Sequence, residues 1–140
     1  LSKAYAMAGL RIGILYASKS ILDVLNKIKP PYNINISSQE NAIRKLLQGT
    51  LKPQLKKIVS ERKKLMEALL KITFVEKIYP SDANFLLIKV DDANKRYQQF
   101  LDNGIVIRNR SNQPLCENCL RITIGTKEEN LNLIETSKSF

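Results

Sequence analysis

A lysine behind a hydroxyl and an arginine between two glycines open this chain: Leu1-Ser2-Lys3-Ala4-Tyr5-Ala6-Met7-Ala8-Gly9-Leu10-Arg11-Ile12-Gly13. The amine of Lys3 can form an imine with a carbonyl when burial or a neighbouring cation leaves it partly unprotonated. The guanidinium of Arg11 can hold a phosphate by two parallel hydrogen bonds, which an ammonium cannot. Ser2 adds a hydroxyl donor. Together these groups suit a carbonyl compound that also carries a phosphate. Taken singly, Lys3 also reads as a surface lysine near a chain end, and Arg11 as half of a strand-surface ion pair.

A second pair of cations falls late in the chain. Arg108 and Arg121 lie in segments read as strands, Ile105 to Arg108 and Leu120 to Ile124. Alternation puts Leu120, Ile122 and Ile124 on one face and Arg121 and Thr123 on the other. A charge held there needs an anion or an acidic side chain, because a buried unpaired charge is costly. An ordinary salt bridge is the alternative. Cys116 and Cys119 form a C-x-x-C, which can be half a zinc site or a redox pair. The chain has no histidine and no other cysteine to complete a zinc site. The pair also precedes a strand instead of opening a helix, so we read two ordinary thiols and expect no metal. Lack of histidine removes Ser-His and Cys-His catalysis from this segment and leaves Lys, Tyr, Asp or Glu as a base.

The elements that must position these residues alternate between strand and helix. Leu10 to Tyr16 reads as a strand. Ser20 to Asp23 has capping-box spacing ahead of an apolar helical face of Ile21, Leu22, Leu25 and Ile28, ended by Pro30-Pro31. Ser37 to Glu40 is a second such box, before a helix closed by Gly49. A long helix is predicted over about Leu51 to Ile72, with Leu55, Ile58, Val59, Leu65, Met66, Leu69 and Leu70 at helical spacing. Its lysines read as a solvated face, with Glu67 and Lys71 as a favourable pair. Strands follow over Phe74 to Tyr79 and Asn84 to Val90. Phe85 to Ile88 is apolar on both faces, as in a covered central strand. Ala93, Tyr97, Phe100 and Leu101 mark a helix stopped at Gly104. Asn109 to Asn118 is a polar loop, and Thr126 to Glu129 caps a last helix. The natural boundary lies near Gly49-Thr50. It separates the end of one α/β domain from a compact unit of helices on a small sheet.

The chain has 140 residues and a net charge of +10, from 23 Lys and Arg against 13 Asp and Glu. That balance suits anionic partners. Nucleic acid is one class, yet no aromatic residues interleave with the lysines, and phosphorylated small molecules are the sharper alternative. No stretch resembles a signal peptide or a bilayer span, so no membrane partner is expected. The chain begins at the motif without a Met, and we expect a longer parent of which this is the C-terminal portion.

The opening segment resembles the cofactor-attachment segment of aminotransferases that use pyridoxal phosphate, S-K-A-x-x-x-A-G-x-R-x-G. The similarity continues in order through Pro30-Pro31-Tyr32-Asn33, Asp82-Ala83-Asn84-Phe85, Ile105-Val106-Ile107-Arg108 and Cys119-Leu120-Arg121-Ile122-Thr123-Ile124-Gly125-Thr126. Taken together, these segments resemble the histidinol-phosphate aminotransferase family, fold-type I, class II enzymes of histidine biosynthesis. The resemblance implies an α/β fold. Residues 1–50 would end the large, cofactor-binding domain, and residues 51–140 would form the small C-terminal α/β domain. It implies amino-group exchange between histidinol phosphate and 2-oxoglutarate, giving imidazole-acetol phosphate and glutamate. It further implies a cytoplasmic homodimer at full length, with Tyr32 and Asn33 near a neighbouring subunit's site.

On the same resemblance, Lys3 matches the lysine that holds pyridoxal 5'-phosphate and moves the proton. Ser2 and Arg11 match ligands of the cofactor's phosphate. Arg121 matches the arginine at the substrate's anionic end, and Arg108 a second arginine on the substrate phosphate. The family's aspartate for the pyridine nitrogen, its tyrosine for the phenolic oxygen and its stacking residue all precede the lysine. We therefore expect this segment alone to be inactive. Aspartate or aromatic aminotransferases and threonine-phosphate decarboxylase are rivals within the same fold type. A basic nucleic-acid-binding module is the rival outside enzymes, and it would show salt-sensitive nonspecific binding.

Overall fold

The structure, a computed structural model, describes residues 1–49 and 51–140. It comprises two compact units, Leu1–Pro53 and Gln54–Phe140.

The first unit holds a single 3-10 turn, Ala8–Leu10, and two helices, α1 (Lys19–Ile28) and α2 (Ile36–Leu47). The strand expected over Leu10 to Tyr16 does not form; residues 12–18 have no regular structure. A strand must pair its N–H and C=O groups with a neighbour. Among the described residues the one sheet is built wholly from the second unit. Both capping boxes expected here are also displaced. Ser18 is the N-cap of α1, and its hydroxyl meets that of Ser20 at 3.0 Å, while Lys19 and Asp23 form an ion pair at 2.8 Å. Asn35 caps α2 by accepting from the Ser38 N–H at 2.7 Å. Asn is as good a cap as Ser, and the one with the right backbone angles takes the role. The stops fall as expected. α1 ends before Pro30, and Gly49 turns left-handed at φ +61° after α2.

Little of this unit is buried. Met7, Ser38 and Ala42 are its buried residues, while Ile21, Val24 and Ile28 of α1 and Ile43 and Leu47 of α2 stand exposed. Most apolar side chains of the two helices are therefore left uncovered within the unit.

The second unit is built differently. α3 (Leu51–Leu69) is followed by β1 (Val75–Ile78), β2 (Phe85–Val90), α4 (Ala93–Asp102), β3 (Arg108–Asn109), β4 (Cys119–Thr123) and α5 (Lys127–Lys138). The strands form an antiparallel sheet in the order β1-β2-β4-β3. β2 is thus central, as its apolar run implies. Leu86, Ile88 and Val90 on one face are fully buried, while Phe85, Leu87 and Lys89 on the other are half-buried. The inner face joins Leu120 and Ile122 of β4 with Leu65 and Leu69 of α3, Ala93 and Phe100 of α4, and Leu133 of α5. Each large aliphatic side chain so placed contributes about 2 kcal/mol. The result is an α/β unit of helices on a small sheet.

Three local expectations shift. α3 stops at Leu69, and Leu70 and Lys71 form a turn. Glu67 lies 3.9 Å from Lys63, not beside Lys71. The strand expected over Ile105 to Arg108 shrinks to Arg108–Asn109, because the Ile105 N–H donates to the Phe100 carbonyl to finish α4, with Gly104 at φ +73°. The last cap forms as its spacing predicts. Glu129 N–H donates to Thr126 Oγ1 at 3.2 Å, and Thr126 N–H to Glu129 Oε2 at 2.7 Å. Gly125 makes room for this cap, since a Cβ there would sit 2.6 Å from Glu129 Oε2.

Candidate functional site

The expected site residues fall into two groups, one in each unit. Ser2, Lys3 and Arg11 lie on the turn that opens the first unit. Met7, buried, anchors it; Ala6 N–H donates to the Lys3 carbonyl at 3.0 Å, and Met7 N–H to that of Leu1 at 3.3 Å. Ala6 and Arg11 both adopt left-handed backbone, at φ 53° and 54°. That conformation is uncommon for residues other than glycine, and it re-aims the chain at two points within this turn. Lys3 is exposed, and so is Arg11. One guanidinium nitrogen of Arg11 donates to the Ala8 carbonyl at 3.3 Å. Among the described residues neither cation has an ion-pair partner. An adjacent cavity of about 430 Å³ is lined by Ala6, Met7, Leu10 and residues of α2, and not by Ser2, Lys3 or Arg11. Tyr32, at φ 57°, and Asn33 stand exposed after α1.

The second group sits on the outer face of the sheet. Arg108 and Arg121 are direct cross-strand neighbours in the β3–β4 pair. Arg121 points away from the core, half-buried, with its guanidinium 5.1 Å from the centre of the Phe85 ring. Its Nε is buried and has no hydrogen-bond partner. Burial, then Arg108 and Arg110, depress the pKa of Arg121. Like charges directly opposite each other in a sheet repel. A cavity of about 470 Å³ opens over them, lined by Tyr97, Arg108, Asn109, Arg110, Arg121 and Thr123 among others. Among the described residues no carboxylate lines it.

Arg110 is absent from the sequence reading, which places it in a polar loop. Its signal was the spacing Arg108-Asn109-Arg110, since residues two apart on extended chain share a face. Two further charged residues were also missed, and both are structural. Glu61 on α3 is buried, with Lys64 at 2.9 Å and Asn130 at 3.3 Å. Arg96 on α4 is buried between Asp91 and the Phe74 ring. Cys116 and Cys119 are free thiols, and Cys119 is buried at the start of β4. Burial and the neighbouring Cys116 raise the pKa of Cys119, so it is a poor thiolate. Among the described residues no three His, Cys, Asp or Glu side chains group to hold a metal, and no helix is long and apolar enough to cross a membrane.

An antiparallel sheet under three helices, a lysine and arginine turn, and an arginine-lined cavity are the features to be matched. The model of the family described as aminotransferase class I and II matches residues 1–136, and the chain belongs to that family. Within it, the chain is 72% identical over 139 residues to a histidinol-phosphate aminotransferase of Flavobacterium psychrophilum, covering 99% of this chain and 40% of that protein. The crystal structure of the histidinol-phosphate aminotransferase from Clostridium acetobutylicum superposes with a TM-score of 0.86 at 30% identity, over 97% of this chain and 42% of that one. That of Sinorhizobium meliloti, in complex with pyridoxal-5'-phosphate, superposes at 0.84 and 25% identity, over 99% of this chain and 38% of that one. The chain thus spans about two fifths of the length of the relatives it matches.

Proposed function

We propose that this chain supplies the lysine, part of the cofactor-phosphate site and the substrate arginines of a pyridoxal phosphate-dependent transaminase. Its substrates are histidinol phosphate and 2-oxoglutarate. The 72% identity to a histidinol-phosphate aminotransferase carries the reading. The activity belongs to a parent of the relatives' length. Exposed apolar faces on α1 and α2 agree with a unit that further protein covers.

The donor set fits the cofactor. An amine, a hydroxyl and a guanidinium, with no carboxylate paired to either cation among the described residues, suit a phosphorylated aldehyde. Lys3 would hold its aldehyde carbon, and Ser2 and Arg11 its phosphate. When bound, pyridoxal phosphate supplies the carbonyl that takes up the amino group and the conjugated ring that accepts the electron pair left at the substrate carbon. The residues of this chain do the rest. Lys3, once its amine is free, carries the proton from the substrate carbon. Arg121 and Arg108 hold the substrate's anionic end, which fixes the reacting bond's orientation. The same reading makes the parent a cytoplasmic homodimer acting on small molecules.

The test is borohydride trapping. The parent, incubated with pyridoxal phosphate and reduced, should carry the pyridoxyl mass on Lys3, while the isolated 140-residue chain should not. Lys3→Ala should abolish both label and turnover, and retained transamination by that variant would refute the role. Parallel assays with histidinol phosphate, aspartate and threonine phosphate separate this activity from its relatives in the fold.

A further inference from the structure

We propose that Arg110 is a third anion-binding residue of the Arg108–Arg121 cavity, and that it sets the preference of that cavity for a dianionic phosphate monoester over a monoanion. The proposal rests on the reading that Arg108 and Arg121 receive the substrate's anionic end.

The backbone holds Arg110 in place. Its N–H donates to the Cys119 carbonyl at 2.8 Å, and its own carbonyl accepts from Gln113 N–H at 2.9 Å. The first bond continues the β3–β4 ladder by one residue, in which Arg108 faces Arg121 and Asn109 faces Leu120. Arg110 is therefore two residues along from Arg108 and diagonal to Arg121. All three side chains line one cavity of about 470 Å³. None of them has an ion-pair partner or a side-chain hydrogen bond among the described residues, and the Nε of Arg121 is buried with its proton unused.

Such a cluster opposes folding unless something negative joins it. Cross-strand like charges destabilise a sheet, and an acidic side chain is the usual remedy. Here Arg121 faces Arg108 directly across the β3–β4 pair, and Arg110 lines the same cavity. A dianion among three guanidinium groups leaves one net positive charge, whereas a monoanion leaves two. Coulomb energy is proportional to ligand charge. A cation that strengthens dianion binding tenfold therefore strengthens monoanion binding by only about the square root of that, roughly threefold. Arg108 and Arg121 alone already neutralise a phosphate monoester. The third guanidinium adds selectivity for the second negative charge.

Methyl phosphate and dimethyl phosphate test this at about pH 8, above the second phosphate pKa of about 6, where the first is a dianion and the second a monoanion. Each is titrated into the full-length parent while the Nε–H resonance of Arg121 is followed. Wild type should bind methyl phosphate more tightly. Arg110→Gln should weaken methyl phosphate about tenfold and dimethyl phosphate about threefold, so the preference falls about threefold. Arg110→Lys, which keeps the charge, should restore most of the preference. Unchanged binding in Arg110→Gln, or equal weakening of both ligands, overturns the proposal and leaves the Arg108–Arg121 reading standing. If neither ligand shifts the Arg121 resonance in wild type, that reading fails as well and takes the role of Arg110 with it.

Discussion

Two arginines of the second unit sit over phenylalanine rings, and they have opposite surroundings. Arg96 lies 4.4 Å from the centre of the Phe74 ring, and Arg121 lies 5.1 Å from that of Phe85. Arg96 spends its donors: Nε and one terminal nitrogen reach the two oxygens of Asp91 at 2.9 and 2.6 Å, and the other reaches Gln99 at 3.0 Å. Its pKa rises, chiefly through Asp91. Arg121 faces two arginines and a cavity, keeps a buried Nε without a partner, and has its pKa lowered by burial and by Arg108 and Arg110. Same residue, same kind of ring, opposite shifts. The first guanidinium completes the fold; the second keeps a buried Nε with no partner among the described residues.

The largest effect that would break this contrast is on turnover. In the parent, Arg121→Met should lower kcat/KM for the phosphorylated substrate by about 100-fold, as loss of a bidentate charged contact implies. The same change should alter the stability of the 140-residue chain by less than about 1 kcal/mol, since it relieves a repulsion as well as leaving an unfilled site. Arg96→Met should do the reverse. It should cost about 2 kcal/mol in denaturant unfolding, below the usual figure for a broken buried pair because the Asp91 carboxylate it strands is half-exposed and can hydrate. Its turnover in the parent should change little. If the two substitutions cost equal stability, the contrast drawn here is wrong.

Thr126→Ala calibrates these numbers, since loss of an ordinary cap should cost about 1 kcal/mol and leave both arginines undisturbed. The smallest effect sharpens the Arg96 side alone. Hydrogen bonds from Arg96, then the backbone of Asp92, hold the pKa of Asp91 down at about 2, from an ordinary 3.8. A carboxylate with a depressed folded pKa stabilises the fold above its unfolded pKa, and that contribution fades as the pH falls from about 4 toward 2. The stability gap between wild type and Asp91→Asn should therefore narrow over that window in thermal melts. A gap independent of pH would show that the pair does not act through charge.

Much of the second unit is legible in its sequence. The Leu120-x-Ile122-x-Ile124 alternation places Arg121 on the outer face, and Thr126 and Glu129 form the cap their spacing predicts. The first unit is less so. Ser18, Ser20, Asn35, Ser37 and Ser38 crowd two helix starts, and any of them can cap, so backbone angles decided which did. Leu10 to Tyr16 has strand-like residues and no strand beside it.

Residue order alone therefore determined the chemistry on offer: an amine, a guanidinium between two glycines, and an arginine placed on the outer face by a period of two. Local spacing suffices for that, because neighbouring side chains fix which face each residue takes. Tertiary structure decided which arginine is satisfied and which is not. Asp91 lies five residues before Arg96, and Arg121 is thirteen residues beyond Arg108. Only the pairing of β3 with β4 brings three cations to one cavity, and only packing strips the water from Arg121 Nε. Ladder register and desolvation depend on atoms distant in the chain, and those are what separate an arginine with every guanidinium nitrogen hydrogen-bonded from one with a buried donor left over.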